Sequence, residues 1–263
     1  MNRVDKARVR AAFSRGAAAY DARAGVQAQV RARVLSLAAE AAPAARRVLD
    51  VGCGTGRLLL DLDAARPGLR AAGVDLAPGM CLAARAAAPR AAVTAGDAEA
   101  LPFRPGAFDL VVSSSTFQWL PRLEPALGEC ARVLAPGGRL VLALFGQRTL
   151  QELTGAWRAA AGGRAPDRTH RFFTAGEVSG ALEAAGLALG HLVEEERVER
   201  HADARAVLRS LKAIGAQNAS PAPAAGLSGR RTTLEMLRRY EADHGGPAGV
   251  PATWHMVYAV ASR

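Results

Sequence analysis

Glycines recur at alternate positions in Asp50-Val51-Gly52-Cys53-Gly54-Thr55-Gly56, just after the apolar pair Val48-Leu49 and just before a helix-like segment, Leu58 to Ala65. Glycine turns sharply and lets a ligand approach where a Cβ would collide. Free N–H groups and the dipole of the following helix favour a negative group on that ligand. The pattern is not the dinucleotide fingerprint G-x-G-x-x-G. Its third glycine comes one residue early, Arg57 stands where that fingerprint wants glycine, and the acid Asp50 is foreign to it.

The loop resembles motif I of the class I methyltransferases that use S-adenosylmethionine. On that resemblance Asp50, Gly52, Cys53, Gly54 and Gly56 are candidate cofactor-binding residues. Asp50 sits beside the loop in a buried place and needs partners, either loop N–H groups or the ligand's amino group. Asp75 lies about 20 residues on, where a carboxylate can accept both ribose hydroxyls. It could equally cap a helix opening at Leu76-Ala77-Pro78. Asp97 could accept the exocyclic amine of adenine, while the N–H of Ala98 donates to the ring. Leu76, Met80 and Phe103 could pack on the base, and Ser114 joins the set. Tyr20 reads as a lid residue over the cofactor.

The stretch Ser113-Ser114-Ser115-Thr116-Phe117-Gln118-Trp119 lacks the proline-aromatic run usual in enzymes that methylate base nitrogens. No cysteine stands at a cytosine-C5 nucleophile position, and no His/Asp cluster suggests a metal. Nucleic-acid and metal-assisted chemistry are therefore not expected.

Positioning such residues takes alternating strands and helices. Residues 1–42 read as two helices. Val4, Val9, Ala12 and Phe13 could line one face of the first; Val26, Val30, Val34, Leu35 and Leu37 could line the second. Strands are expected at Val48–Val51, Ala71–Val74, Ala92–Ala95, Phe108–Ser113 and, after the turn Ala135-Pro136-Gly137-Gly138, at Arg139–Leu144. Helices between parallel strands imply right-handed crossovers and an α/β, doubly wound sheet. Ligands sit beyond the carboxyl ends of such strands. Asp50, Asp75, Asp97 and Ser113–Ser115 all fall there.

After 146 the pattern changes. Thr149-Leu150-Gln151-Glu152 and Thr174-Ala175-Gly176-Glu177 read as capping boxes, and Gly186 as the stop of the second helix. A sixth strand is expected within Leu187–Val198, helices at Ala204–Ile214 and Leu234–Tyr240, a mobile loop at 218–229 and a last strand at Trp254–Val260. The division expected is a helical lid (1–45), a cofactor-binding core (46–145), and a substrate-binding cap plus the last strands (146–263).

At 263 residues the chain can bury a sizeable core. Its formal charge of +10 is almost all arginine, scattered rather than blocked. That suits an acidic macromolecular partner, or simple compositional drift. Three cysteines without paired spacing suit a reducing compartment. The N-terminus has no secretory pattern, and no apolar run approaches the ~20 residues of a membrane span. A cytoplasmic protein is expected.

Further segments carry a narrower resemblance. They are Val4-Asp5-Lys6 through Phe13-Ser14-Arg15 to Tyr20, Arg132 to Gly138, Phe145-Gly146 with Thr149-Leu150 and Glu152-Leu153, and His170-Arg171-Phe172. Leu208 to Ala216 and Pro251 to Tyr258 complete the set. Together they resemble the malonyl-acyl-carrier-protein O-methyltransferases of biotin synthesis. Two departures are Ser114 and His170, where that family commonly carries Asn. The resemblance implies a seven-stranded, mostly parallel, Rossmann-like sheet under a helical lid. It implies S-adenosylmethionine as cofactor, S-adenosylhomocysteine as product and no metal. The implied partner is malonyl-acyl carrier protein or malonyl-coenzyme A, with no nucleic acid and no membrane.

The acceptor would be a carboxylate, anionic at pH 7 because such groups titrate near ~4. No catalytic general base is then needed. Tyr20, Gln118, Trp119, Arg171 and Lys212 are the substrate-binding candidates, the last two as captors of the carboxylate. Arg158, Arg205, Arg209, Arg230 and Arg231 could form a docking face for an acidic carrier. A C-methyltransferase of quinone synthesis shares the core motifs and is the alternative enzyme. A basic nucleic-acid-binding protein on the same scaffold is the non-enzyme alternative.

Overall fold

A computed structural model describes residues 4–162, 170–213 and 227–263. Among them seven strands form one sheet in the order β3-β2-β1-β4-β5-β7-β6. β1 is Arg47–Val51, β2 Arg70–Asp75, β3 Ala92–Ala95 and β4 Phe108–Ser114. β5 is Leu134–Phe145, β6 Ala188–His201 and β7 Val250–Ser262. β1 pairs in parallel with β2 and β4, and β4 with β5. β7 runs antiparallel to both its neighbours. Strand order reverses between β1 and β4, so the ends of these two strands flank the crevice where such sheets take ligands.

The helices are α1 (Lys6–Tyr20), α2 (Gly25–Ala41), α3 (Arg57–Ala65), α4 (Pro78–Ala87), α5 (Glu124–Val133), α6 (Gln151–Ala161), α7 (Ala175–Ala184), α8 (Ala204–Ala213) and α9 (Leu227–His244). The central strands read as apolar runs because both their faces are covered. Leu49 and Val51 face α5 and α7 with Leu127, Val133 and Leu182. Val48, Leu110 and Val112 face α2 and α3 with Val30, Val34, Leu58 and Leu62. A separate small core joins α6, α8 and α9 through Ala156, Val207, Met236 and Tyr240 to the start of β7. That core is the cap.

Several expectations shift. The first helix runs on through Phe13-Ser14-Arg15 to Tyr20, and its start is capped by the Asp5 carboxylate, which accepts the N–H groups of Ala7 and Arg8. α2 packs its Val26, Val30 and Val34 on the sheet, whereas α1 packs on α4. The turn Ala135-Pro136-Gly137-Gly138 is absorbed into β5 with a register shift between Phe108 and Leu110. Thr174 and Glu177 form the expected capping box. Thr149 and Glu152 do not. The Thr149 hydroxyl donates to the His255 carbonyl and accepts its N–H, and Glu152 turns to Thr253. The expected loop at 218–229 lies outside the described residues up to 226, and Leu227 opens α9. Ile214 lies outside them too.

Candidate active site

A cavity of about 330 Å³ opens at the carboxyl ends of β1, β2, β3 and β4, roofed by α1 and flanked by α2. Its floor is the glycine bend. The N–H groups of Gly52 and Cys53 both reach the Val74 carbonyl, at 2.7 and 3.0 Å, which ties the bend to β2. Gly56 caps α3 with φ +82°, and a Cβ there would lie 2.8 Å from the Ala84 Cα. Only glycine meets both demands. Gly54 also has positive φ, and a Cβ built on it would meet no protein atom within 4 Å. Gly54 lines the cavity, so that open space is where a ligand can approach the backbone.

Asp75 ends β2 and joins two loops. Its Oδ2 accepts the Gly54 N–H at 2.9 Å and its Oδ1 the Ala77 N–H at 2.8 Å. Burial raises its pKa, and those two N–H groups act against the rise. It is not the helix cap, since Ala77 holds that place in α4. Asp50 is buried at 2% exposure, and its Oδ1 has no protein partner. Burial, and next the Asp75 carboxylate, push its pKa up to about 8. An orphaned buried carboxylate oxygen on a cavity wall calls for a donor from outside the protein, and a cationic amino group meets that need.

Asp97 follows β3. Its Oδ1 accepts the Glu99 N–H at 3.0 Å, and its Oδ2 accepts Lys6 Nζ of α1 at 2.6 Å. Lys6 also pairs with Glu99. Burial works against the Lys6 charge, but the hydrogen bonds and charges of both carboxylates prevail, and its pKa is raised. Leu76, Met80 and Ala98 line the same end. Acid, apolar pair and small residue suit a purine. Phe103 does not join them; its ring packs edge-on against Phe108, 5.1 Å between centroids.

The opposite wall is aromatic and polar. Tyr20, Phe13, Trp119, Ser114 and Ser115 line it. Phe13 lies edge-on to both Tyr20 and Trp119, at 6.2 and 5.6 Å. Burial, then the carboxylates of Asp75 and Asp21, drive the Tyr20 phenol pKa well above its ordinary value, so it stays a donor. Ser115 has φ +56°, uncommon for a residue with a Cβ. Trp119 is backed by His170, whose ring lies 4.8 Å away and whose Nε2 is 2.6 Å from the Gln118 carbonyl oxygen. Burial lowers the His170 pKa, which favours the neutral ring with Nε2–H as donor.

Of the expected site residues, Tyr20, Asp50, Gly52, Cys53, Gly54, Asp75, Leu76, Met80, Asp97, Ala98, Ser114 and Trp119 meet on this one cavity. Gly56 stands just behind its wall. Gln118, Arg171 and Lys212 do not line it. Gln118 is buried, and its amide donates to the Ser115 carbonyl at 2.7 Å. Arg171 is exposed; its guanidinium pairs with Glu177 of the α7 capping box and lies over the Phe173 ring. Lys212 is exposed in the last turn of α8. Sequence reasoning missed Lys6, Asp21, Gln27 and Arg31, all on the wall. The signal was a helix stripe. Lys6, Val9 and Phe13 recur at i, i+3 and i+7, and Ala24, Gln27, Ala28 and Arg31 share a second face. The first stripe faces the cavity rather than the core, and no α1 residue is fully buried.

Comparison with known proteins decides the family. Residues 49–142 match the methyltransferase domain family. The whole chain is similar to a malonyl-[acyl-carrier protein] O-methyltransferase of Geobacter sulfurreducens. The two are 49% identical, over 99% of this chain and 100% of the relative. The chain belongs to the malonyl-[acyl-carrier protein] O-methyltransferase family. A second relative of the same description, from Hahella chejuensis, is 38% identical over 99% of this chain and 91% of its own length. Among solved structures, the YcgJ protein from Bacillus subtilis superposes with a TM-score of 0.62 at 18% identity. It covers 88% of this chain and 98% of its own, a likeness of fold alone. The sheet is that of the class I, Rossmann-like methyltransferases, and the chain is an S-adenosylmethionine-dependent O-methyltransferase by family.

Proposed function

We propose that the chain moves a methyl group from S-adenosylmethionine to the free carboxylate of a malonyl thioester on acyl carrier protein, giving the methyl ester. The full-length match to the Geobacter enzyme carries this reading. The cavity supports it. Asp97 and Ala98 suit the adenine, Asp75 the ribose, and the orphaned oxygen of Asp50 the amino group. Gln27 and Arg31 of α2 line the wall, and Arg31, whose Nε pairs with Asp61 at 2.7 Å, keeps its terminal nitrogens for the amino-acid carboxylate. The donor, when bound, supplies an electrophilic methyl. No general base enters the reading, because the acceptor is already anionic.

The chain's part is to hold the acceptor in line and keep water out. Trp119, Phe13 and Tyr20 give an apolar rim, and the protonated Tyr20 hydroxyl is the donor that holds the carboxylate. A neutral donor orients the nucleophile without quenching it as an ion pair would. The carrier would dock on α8. Val207 faces the cap core there, while Arg205, Arg209 and Lys212 stand exposed at i, i+4 and i+7 on the other side. The test is incubation with S-adenosylmethionine and malonyl-acyl carrier protein, read by intact mass. One added methyl is expected, with fragmentation of the acyl group placing it on the carboxylate oxygen. A methyl on carbon would mean C-methylation, and no added mass would refute the reading.

A further inference from the structure

α1 crosses the cavity as a roof that the core scarcely holds. None of its residues is fully buried, whereas α2 beside it buries five. Helices are normally fixed by an apolar face against the core. α1 is fixed by polar contacts at its two ends. At its first residue, Lys6 reaches Asp97 and Glu99 just past β3. Just past its last, Asp21 accepts the Thr55 hydroxyl at 2.6 Å and Arg57 Nε at 2.8 Å. Thr55 and Arg57 flank Gly56 of the glycine bend. The two attachments therefore tie α1 to two separate places on one cavity, the loop after β3 and the glycine bend after β1, and Lys6, Asp21, Thr55, Arg57 and Asp97 all line it. Between them α1 rests on α4 closely enough that a Cβ on Gly79 would lie 2.5 Å from the Ser14 carbonyl oxygen.

We infer that α1 is a lid pinned at both ends, and that Lys6 and Asp21 are positioning residues which set how fast the nucleoside cofactor enters and leaves. The inference rests on the cavity being the cofactor seat. Three observations carry it: the cavity lies under α1, both pins join α1 to residues that line it, and, beside the edge contact of Phe13 with Trp119 and the half-buried packing on α4, α1 has no fully buried side chain to hold it once the pins open. Lys6 has a second effect through Asp97. It takes one carboxylate oxygen while Glu99 N–H takes the other, which fixes the plane that the adenine amine must meet. A carboxylate has lone pairs for a third donor. Lys6 thus orients the base-reading acid as well as closing the lid over it.

Both pins are partly exposed ion pairs, so each should be modest and weakened by salt. The test is stopped-flow displacement of S-adenosylhomocysteine from wild type, Lys6→Met, Lys6→Arg, Asp21→Asn and the Lys6→Met/Asp21→Asn double variant, at low and high salt. Each charge-removing single variant is expected to release the ligand roughly twofold to fivefold faster, with Lys6→Arg close to wild type. Added salt should speed release from wild type and barely change the double variant. Hydrogen exchange of the ligand-bound chain should show the α1 amides less protected in the double variant and the β1 amides unchanged, which separates an open lid from misfolding. Release that ignores all these changes, while wild type binds the ligand, overturns the lid alone. A wild type that binds no ligand overturns the lid together with the assignment of the cavity.

Discussion

Glu152 on the first helix of the cap is buried against Thr253 on the last strand. Its carboxylate accepts the Thr253 N–H at 3.2 Å and the Thr253 hydroxyl. Tyr240 of α9 adds its hydroxyl to the Pro251 carbonyl at 2.6 Å. The cap is thus fastened to the sheet by polar groups shut away from water, where an unpaired one is costly.

Thr253→Val keeps the shape and removes one donor from a buried carboxylate. A loss of about 1–3 kcal/mol of stability is expected, read as a lower urea midpoint with an unchanged slope. Glu152→Gln combined with Thr253→Val should cost less than the sum of the two single changes, since the two act through one contact.

The same pair shows where sequence reading stops. Thr149-x-x-Glu152 and Thr174-x-x-Glu177 have identical letters. Only the second is a capping box, because its partners are its own backbone. The partners of the first are His255 and Thr253, far along the chain. The strands and their acidic ends were legible, since Asp50, Asp75 and Asp97 follow apolar runs whose period is local. The apolar α1 face was legible, but not what it covers, because Val9 and Phe13 pack as readily on a ligand cavity as on a core. Arg171 was chosen for its charge, and the charge belongs to Glu177.

Asp50 predicts a pH dependence. Its pKa in the ligand-free fold is raised to about 8. The stability it contributes is therefore full below the ordinary carboxylate value near ~4 and is lost as pH rises through about 8. Asp50→Asn should flatten that part of the stability–pH curve. Binding a cationic amino group beside it favours the ionised form, so cofactor binding at pH 7 should release a proton in wild type and none in Asp50→Asn. Calorimetry in buffers of differing ionisation heat reads this, and equal proton release in both would contradict it.

Tyr20 lies on the wall between donor and acceptor. Tyr20→Phe keeps the ring against Phe13 and removes the hydroxyl. KM for the malonyl thioester should rise about tenfold, the worth of one hydrogen bond to a charged group, with S-adenosylhomocysteine affinity held. A fall in cofactor affinity with unchanged KM would move the hydroxyl's role to the cofactor side.

The basic face of α8 should act on the carrier alone. Arg205→Glu with Arg209→Glu is expected to raise KM for carrier-bound malonate about tenfold at low salt and less at high salt. The coenzyme A ester should be used as before. Equal effects on both substrates would place these arginines outside a carrier interface.

Every step depends on the glycine bend and α1 enclosing a seat for the sulfonium nucleoside. Titration calorimetry with S-adenosylhomocysteine tests that most directly. One ligand per chain is expected, with affinity lowered about a hundredfold in Asp75→Asn, the worth of two ribose hydrogen bonds to a carboxylate. No binding by wild type, or binding that Asp75→Asn leaves untouched, would contradict the account.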